Sequence, residues 1–141
     1  MMIEQAARLF RVSTRGPAFY EVTRDVVGWV HECAAETGLL TLHVKHTSCS
    51  LTIQENADPD VQRDLLTALD GFAPRDVRYR HSSEGPDDMP AHIRAILTAT
   101  SLSVPVIEGE LQLGTWQGIY LIEHRDAPHN RDIVAHLNFE R

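Results

Sequence analysis

The sequence predicts an α+β fold: a single compact domain spanning 1–141, with a mixed or antiparallel sheet and three helices. Three observations lead there. Strand-type alternation recurs in consecutive groups of segments instead of alternating regularly with helices. Apolar residues at helical spacing mark three further stretches. No internal repeat, low-complexity tract or linker interrupts the 141 residues, which is the size of one ordinary domain.

Residues 5–14 read as the first strand, with Ala7, Leu9 and Val12 as its apolar positions, and Arg15-Gly16-Pro17 as a turn. A helix follows. Thr23 is its N-cap, Val26, Val27, Val30, Cys33 and Ala34 keep helical spacing, and Gly38 is its terminator. In the strand 39–46, Leu40, Leu42 and Val44 share one face and Thr41, His43 and Lys45 the other. A second strand runs over 49–55, with Leu51 and Ile53 inward. Asp58-Pro59-Asp60 then opens a helix: N-cap, first-turn proline, and a carboxylate at the positive end of the dipole. Its stripe is Val61, Leu65, Leu66 and Leu69. Residues 71–90 read as loop with an extended piece near Val77–His81. A third helix covers about Met89–Thr100 and packs through Ile93, Ile96 and Leu97. Strands at 102–107, 111–124 (broken near Gly114) and 131–140 close the chain.

Composition narrows the function. Thirteen Lys and Arg against twenty Asp and Glu give a net charge of −7, which argues against a nucleic-acid or anionic-membrane binder. A hydrophobic share of 43% supports a packed core, yet no apolar run nears the roughly 18 residues of a membrane span. The opening MMIEQAARLF lacks the pattern of a secretory leader, and two cysteines make no disulfide framework, so the cytoplasm is the expected compartment.

Strand parity selects the candidate site. His46 extends the row of Leu40, Leu42 and Val44. Glu55 extends that of Leu51 and Ile53, with Cys49 at its other end. Gln117 and Glu123 flank Ile119 and Leu121. Ionisable groups at the ends of inward rows are half-buried, where sites with perturbed pKa values arise. His43-x-x-His46 and His46-x-x-Cys49 cannot chelate on a strand, because residues three apart face opposite ways. His46, His81 and His92 together offer a three-imidazole zinc set with an open position. Cys49 near His46 invites a nucleophile reading, against which stands a small thiol in a core row.

The pieces HTSCSLTIQENADPD, Tyr79–His81, Ala91-His92-Ile93 and LGTWQGIYLIEHRDAPHNRDI resemble the YjbQ-type family, commonly labelled secondary thiamine-phosphate synthase. The resemblance runs from the first strand to the last. It implies a YjbQ-like domain that assembles as a homotrimer, with a polar site built from the HTS segment, the two histidine-bearing segments and the GTWQ strand. His46, Thr47, Ser48, Glu55, Asp58, His81, His92, Gly114, Trp116, Gln117, Glu123 and Arg131 fall on the family's recurring positions. Cys49 stands where the family has a small apolar residue. Asp88-Met89-Pro90 replaces a run that often contains asparagine.

The implied reaction joins a pyrimidine pyrophosphate to a thiazole phosphate and releases pyrophosphate. Arg131, Thr47 and Ser48 would hold phosphate oxygens, and His46 or His92 would give a proton to the leaving group. Glu55 or Glu123 would orient that imidazole or help hold a divalent ion, zinc or magnesium. Trp116 would stack on the pyrimidine, and Gln117 belongs to the same binding strand. No organic cofactor is expected. The rival reading is a zinc- or anion-binding trimer without turnover, in which His46, His81 and His92 hold the metal and the ligand is a small phosphorylated molecule.

Overall fold

A computed structural model describes residues 2–141. The elements, in chain order, are β1 (Glu4–Thr14), β2 (Ala18–Glu21), α1 (Thr23–Glu32), β3 (Thr37–Val44), β4 (Cys49–Glu55), α2 (Pro59–Phe72), α3 (Asp88–Leu97), β5 (Ser101–Ile107), β6 (Glu110–Leu111), β7 (Gln117–Glu123) and β8 (His129–Glu140). They form two sheets, in the orders β1-β8-β3-β5-β6 and β2-β7-β4, and every pairing is antiparallel. This is the expected α+β domain with three helices.

The core lies where the inward rows of both sheets meet one face of α1. Leu40, Leu42 and Val44 of β3 and Ile133, Ala135, Leu137 and Phe139 of β8 join Leu51 of β4, Ile119 and Leu121 of β7, and Val26, Trp29 and Val30 of α1. β7 is buried on both faces. Ile119 and Leu121 look into this core, while Tyr120 and Ile122 are buried outside it, on the side that α2 and α3 cover. Gln62 of α2 donates to the Tyr120 hydroxyl at 3.0 Å across that second layer.

The start of α2 follows the sequence reading, with Pro59 in the first turn and the Asp58 carboxylate accepting the Asp60 amide at 2.9 Å. Other elements differ. In β1 the inward parity is that of Phe10, Val12 and Thr14, so Leu9 is exposed. Thr23 is not a cap: its hydroxyl accepts the Ile119 amide, stitching α1 to β7. Gly38 lies inside β3, not after α1, which ends at Cys33 and a left-handed Ala34. A Cβ at Gly38 would collide with the Asn138 carbonyl of β8, so close strand approach explains the glycine. The piece near Val77–His81 forms no strand.

The third helix departs furthest. Its buried residues are Asp88, Pro90, Ala91 and Arg94, while Ile96 is 82% exposed and Leu97 54%. Charged residues can take the inward arc because each finds a partner: Arg94 meets Asp70 of α2, and Asp88 meets Arg125. Among the described residues, no helix is long and apolar enough to cross a membrane.

Candidate functional site

β4 and β7 run antiparallel, with Cys49 opposite Glu123 and Glu55 opposite Gln117. Strand parity marks all four residues singly, and the ladder sets the two pairs at its opposite ends. Six residue steps separate Cys49 from Glu55, roughly 20 Å of strand. Within one chain the candidates therefore fall into separate groups, not one cavity.

At the far end, Glu55 is half-buried, Gln117 is exposed and Trp116 is 63% exposed. The Gln117 side chain accepts the Gly114 amide at 2.8 Å, and this contact shapes the turn that presents Trp116.

At the near end, Glu123 is fully buried. Its carboxylate accepts from Thr14 Oγ1 (2.6 Å), Arg131 Nε (2.8 Å) and Nη2 (2.6 Å), and the amides of His124 (3.0 Å) and Arg125 (3.2 Å). Burial alone would push this carboxyl up. The Arg131, Thr14 and Arg125 hydrogen bonds outweigh it and hold the group below the usual carboxylate range. Arg131, 5% exposed, spends its side-on fork on Glu123 and donates also to Ser48 Oγ at 2.9 Å. The expected roles are corrected accordingly. Arg131 is no open phosphate fork, Ser48 is buried on that guanidinium, and Glu123 has no free lone pair aimed at a histidine ligand.

Behind this pair, His124 Nε2 and Ser50 Oγ lie 2.8 Å apart, both buried. Burial pushes the His124 imidazolium down to about 4. Burial also pushes the Cys49 thiol up to about 12, which rules out a thiolate nucleophile at neutral pH.

The third group carries the most chemistry. Asp88, in the first turn of α3, is 4% exposed, and His92 stands one turn along on the same face. His92 Nε2 lies 3.3 Å from Asp88 Oδ2, and His81 Nε2 lies 2.7 Å from that same oxygen. Ligand atoms of His81, Asp88 and His92 all fall within 4.8 Å of one another. His92 Nδ1 is 3.1 Å from the Thr47 carbonyl. A carbonyl can only accept, so Nδ1 carries a proton and Nε2 is the nitrogen turned to Asp88. Nε2 meets that carboxylate favourably with either a proton or a metal cation between the two atoms. Arg125 donates Nη1 to Asp88 Oδ1 at 3.0 Å and Nε to Asp87 Oδ2 at 2.9 Å. Burial pushes the Asp87 carboxyl up, but bonds from Arg125 and the Asp126 amide bring it below its ordinary value. One guanidinium against two carboxylates leaves net negative charge beside two imidazoles. This donor set fits a divalent metal such as zinc.

His46 is not in that group. It sits two residues beyond β3, where its Nε2 accepts the Asp132 amide at 3.1 Å. Burial and nearby Arg131 lower its pKa, which matches its role as an acceptor. Asp88 therefore stands where the sequence reading placed His46. The short run Thr47-Ser48 joins the groups, since the Thr47 carbonyl steers His92 and Ser48 holds Arg131. Sequence reasoning missed Asp88 and Arg125. The signal was the four-residue spacing of Asp88 and His92 at a helix start, which places both on one face.

A family model described as "UPF0047 protein YjbQ-like" matches residues 8–140. A UPF0047 protein of Synechocystis is 47% identical over 137 residues, covering 96% of this chain and 93% of that one. The UPF0047 protein YugU of Bacillus subtilis is 35% identical over 119 residues, covering 84% and 88%. A crystal structure of a YjbQ/UPF0047 family protein from Clostridium acetobutylicum superposes with a TM-score of 0.85 at 36% identity, over 92% of this chain and 98% of that one. A YbjQ-like protein from Sulfolobus solfataricus has the same fold, with a TM-score of 0.86 at 21% identity over 97% and 100%.

Proposed function

Because the chain belongs to the UPF0047 YjbQ-like family, and the matched span holds His81, Asp88 and His92, we propose that it is a divalent-metal-binding protein with that triad as its centre. One observation carries the reading: two imidazole Nε2 atoms converge on a single buried carboxylate oxygen, with the tautomer of one imidazole set by the Thr47 carbonyl. Imidazole donors favour zinc over magnesium, which prefers an all-oxygen shell. His81, Asp88 and His92 would hold the metal, which would supply Lewis-acid stabilisation to the oxygens of a phosphorylated ligand. The exposed Thr47 beside it offers a hydroxyl to the same oxygens. Purified wild type is expected to hold one zinc per chain by elemental mass spectrometry. Asp88→Ala and His92→Ala should lose it while remaining folded by circular dichroism. Metal-free wild type that gains no thermal stability on adding zinc would refute the proposal.

A second reading adds turnover of the thiamine-phosphate-synthase kind, and the exposed Trp116 favours it as a stacking face for a pyrimidine. Trp116 stands at the opposite end of the β4–β7 ladder from Thr47, so this reading needs Trp116 of a second copy near the metal of the first. A homotrimer supplies that, and subunit contacts would cover exposed Ile96, Leu97 and Phe72. Sedimentation should then report three chains. Mixed His92→Ala and Trp116→Ala chains should recover product from a pyrimidine pyrophosphate and a thiazole phosphate that neither variant forms alone. A monomer in sedimentation, or wild type without product, removes this reading and leaves the metal centre standing.

A further inference from the structure

A cleft of about 600 Å³ opens beside α2 and α3 at the end of β7, apart from the metal triad. Leu66, Leu69, Ala73 and Pro74 give it an apolar wall. Arg94 lines it and is only 4% exposed. Arg94 Nη2 donates to Asp70 Oδ1 at 2.6 Å, while Nε, on the same edge of the guanidinium, is buried without a protein partner. The same molecule shows what a completed edge looks like: Arg131 gives both Nε and Nη2 to the two oxygens of Glu123. Arg94 is thus a half-filled fork. Its occupant, Asp70, has a side chain 73% exposed and can swing into solvent.

We infer that this cleft binds a small organic carboxylate with an apolar body, which displaces Asp70 and takes both donors of the Arg94 fork while its body lies on the Leu66–Leu69 wall. The volume suits a small-molecule site. A single negative charge is favoured over a phosphate dianion because Asp70 and Asp76 also line the cleft, while its second arginine, Arg75, is already held by Asp126. This inference is independent of the metal reading.

The test is titration of benzoate, phenyl phosphate and benzyl alcohol into the full ¹⁵N-labelled chain, with calorimetry alongside. Benzoate is expected to bind and to shift the amides of Leu66, Leu69, Ala73 and Arg94. Benzyl alcohol should fail, because it leaves the guanidinium edge unpaired. Asp70→Asn weakens the internal competitor at an exposed position and should tighten benzoate severalfold. Arg94→Lys, which has no planar fork, should weaken it by about tenfold. Benzoate shifts absent from both wild type and Asp70→Asn overturn the inference, as does affinity unchanged by Asp70→Asn. Tighter binding of phenyl phosphate than of benzoate overturns the carboxylate assignment.

Discussion

Glu123→Gln tests whether the buried Glu123–Arg131 pair organises the fold or serves the chemistry. The substitution keeps shape and volume but replaces one acceptor oxygen with an amide donor. Five donors converge on that carboxylate, three of them from Arg131 and Thr14 side chains. The variant sets an NH₂ against at least one of them and leaves the 5%-exposed Arg131 without its counter-charge. Breaking a buried pair from one side costs about 3–5 kcal/mol. This is a large part of the roughly 5–15 kcal/mol that holds a domain folded. At roughly 3 °C per kcal/mol for a chain of this size, the melting temperature should fall by about 10–15 °C. Urea unfolding followed by far-UV circular dichroism measures it, with the denaturant slope unchanged if both states keep their compactness. The pH profile adds an independent check. Because the folded carboxyl titrates below its unfolded value of about 4.3, its stabilisation is complete above that value and fades as pH falls through the folded pKa. Glu123→Gln should flatten this part of the acid limb. A loss under about 1 kcal/mol with an unaltered acid limb would refute the structural role given to the pair.

Two further outcomes follow from the geometry. His124 is buried and neutral with a pKa near 4, below its unfolded value, so its contribution is full above about pH 6.5 and is lost as pH falls towards 4. The shift amounts to about 3 kcal/mol, and the imidazole resonances of His124 should stay those of the neutral ring at pH 5.5 in the native protein, where an exposed histidine is mostly charged. For the metal site proposed at His81, Asp88 and His92, saturating zinc at about a hundred times its dissociation constant should stabilise wild type by about 2.7 kcal/mol in thermal unfolding, with a chelator reversing the gain and Asp88→Ala abolishing it.

Much of the fold was legible locally. Alternation in 39–46, 49–55 and 131–140 marks strands because a half-buried sheet imposes a period of two, and the structure places strands there within two residues at each end. Asp58-Pro59-Asp60 marks a helix start because capping is chemistry within one turn. The third helix was legible as a helix but not in its orientation. Ile93, Ile96 and Leu97 look like a core stripe, and only the positions of Asp70 and Arg125 make the Asp88–Arg94 arc the inward one. β2 escaped notice because four residues are too few to show a period.

For the site, strand parity placed Glu123 in a buried row, as the structure has it, and set Glu55 and Gln117 at the ends of inward rows, of which Glu55 is half-buried and Gln117 exposed. Spacing offered His81 and His92 only as part of a candidate set with His46, and could not say which of the three meet. Tertiary structure decided the rest. It chose which end of a ladder each candidate occupies, spent the Arg131 fork on Glu123, turned His46 to the Asp132 amide, and brought Asp88 to the two imidazoles. The physical reason is range. Periodicity and capping act over a few residues and are written in spacing, whereas a polar group is satisfied by whichever partner the fold carries within about 3 Å, and that partner comes from 86 positions away for His46 and from 109 for Glu123 and Thr14.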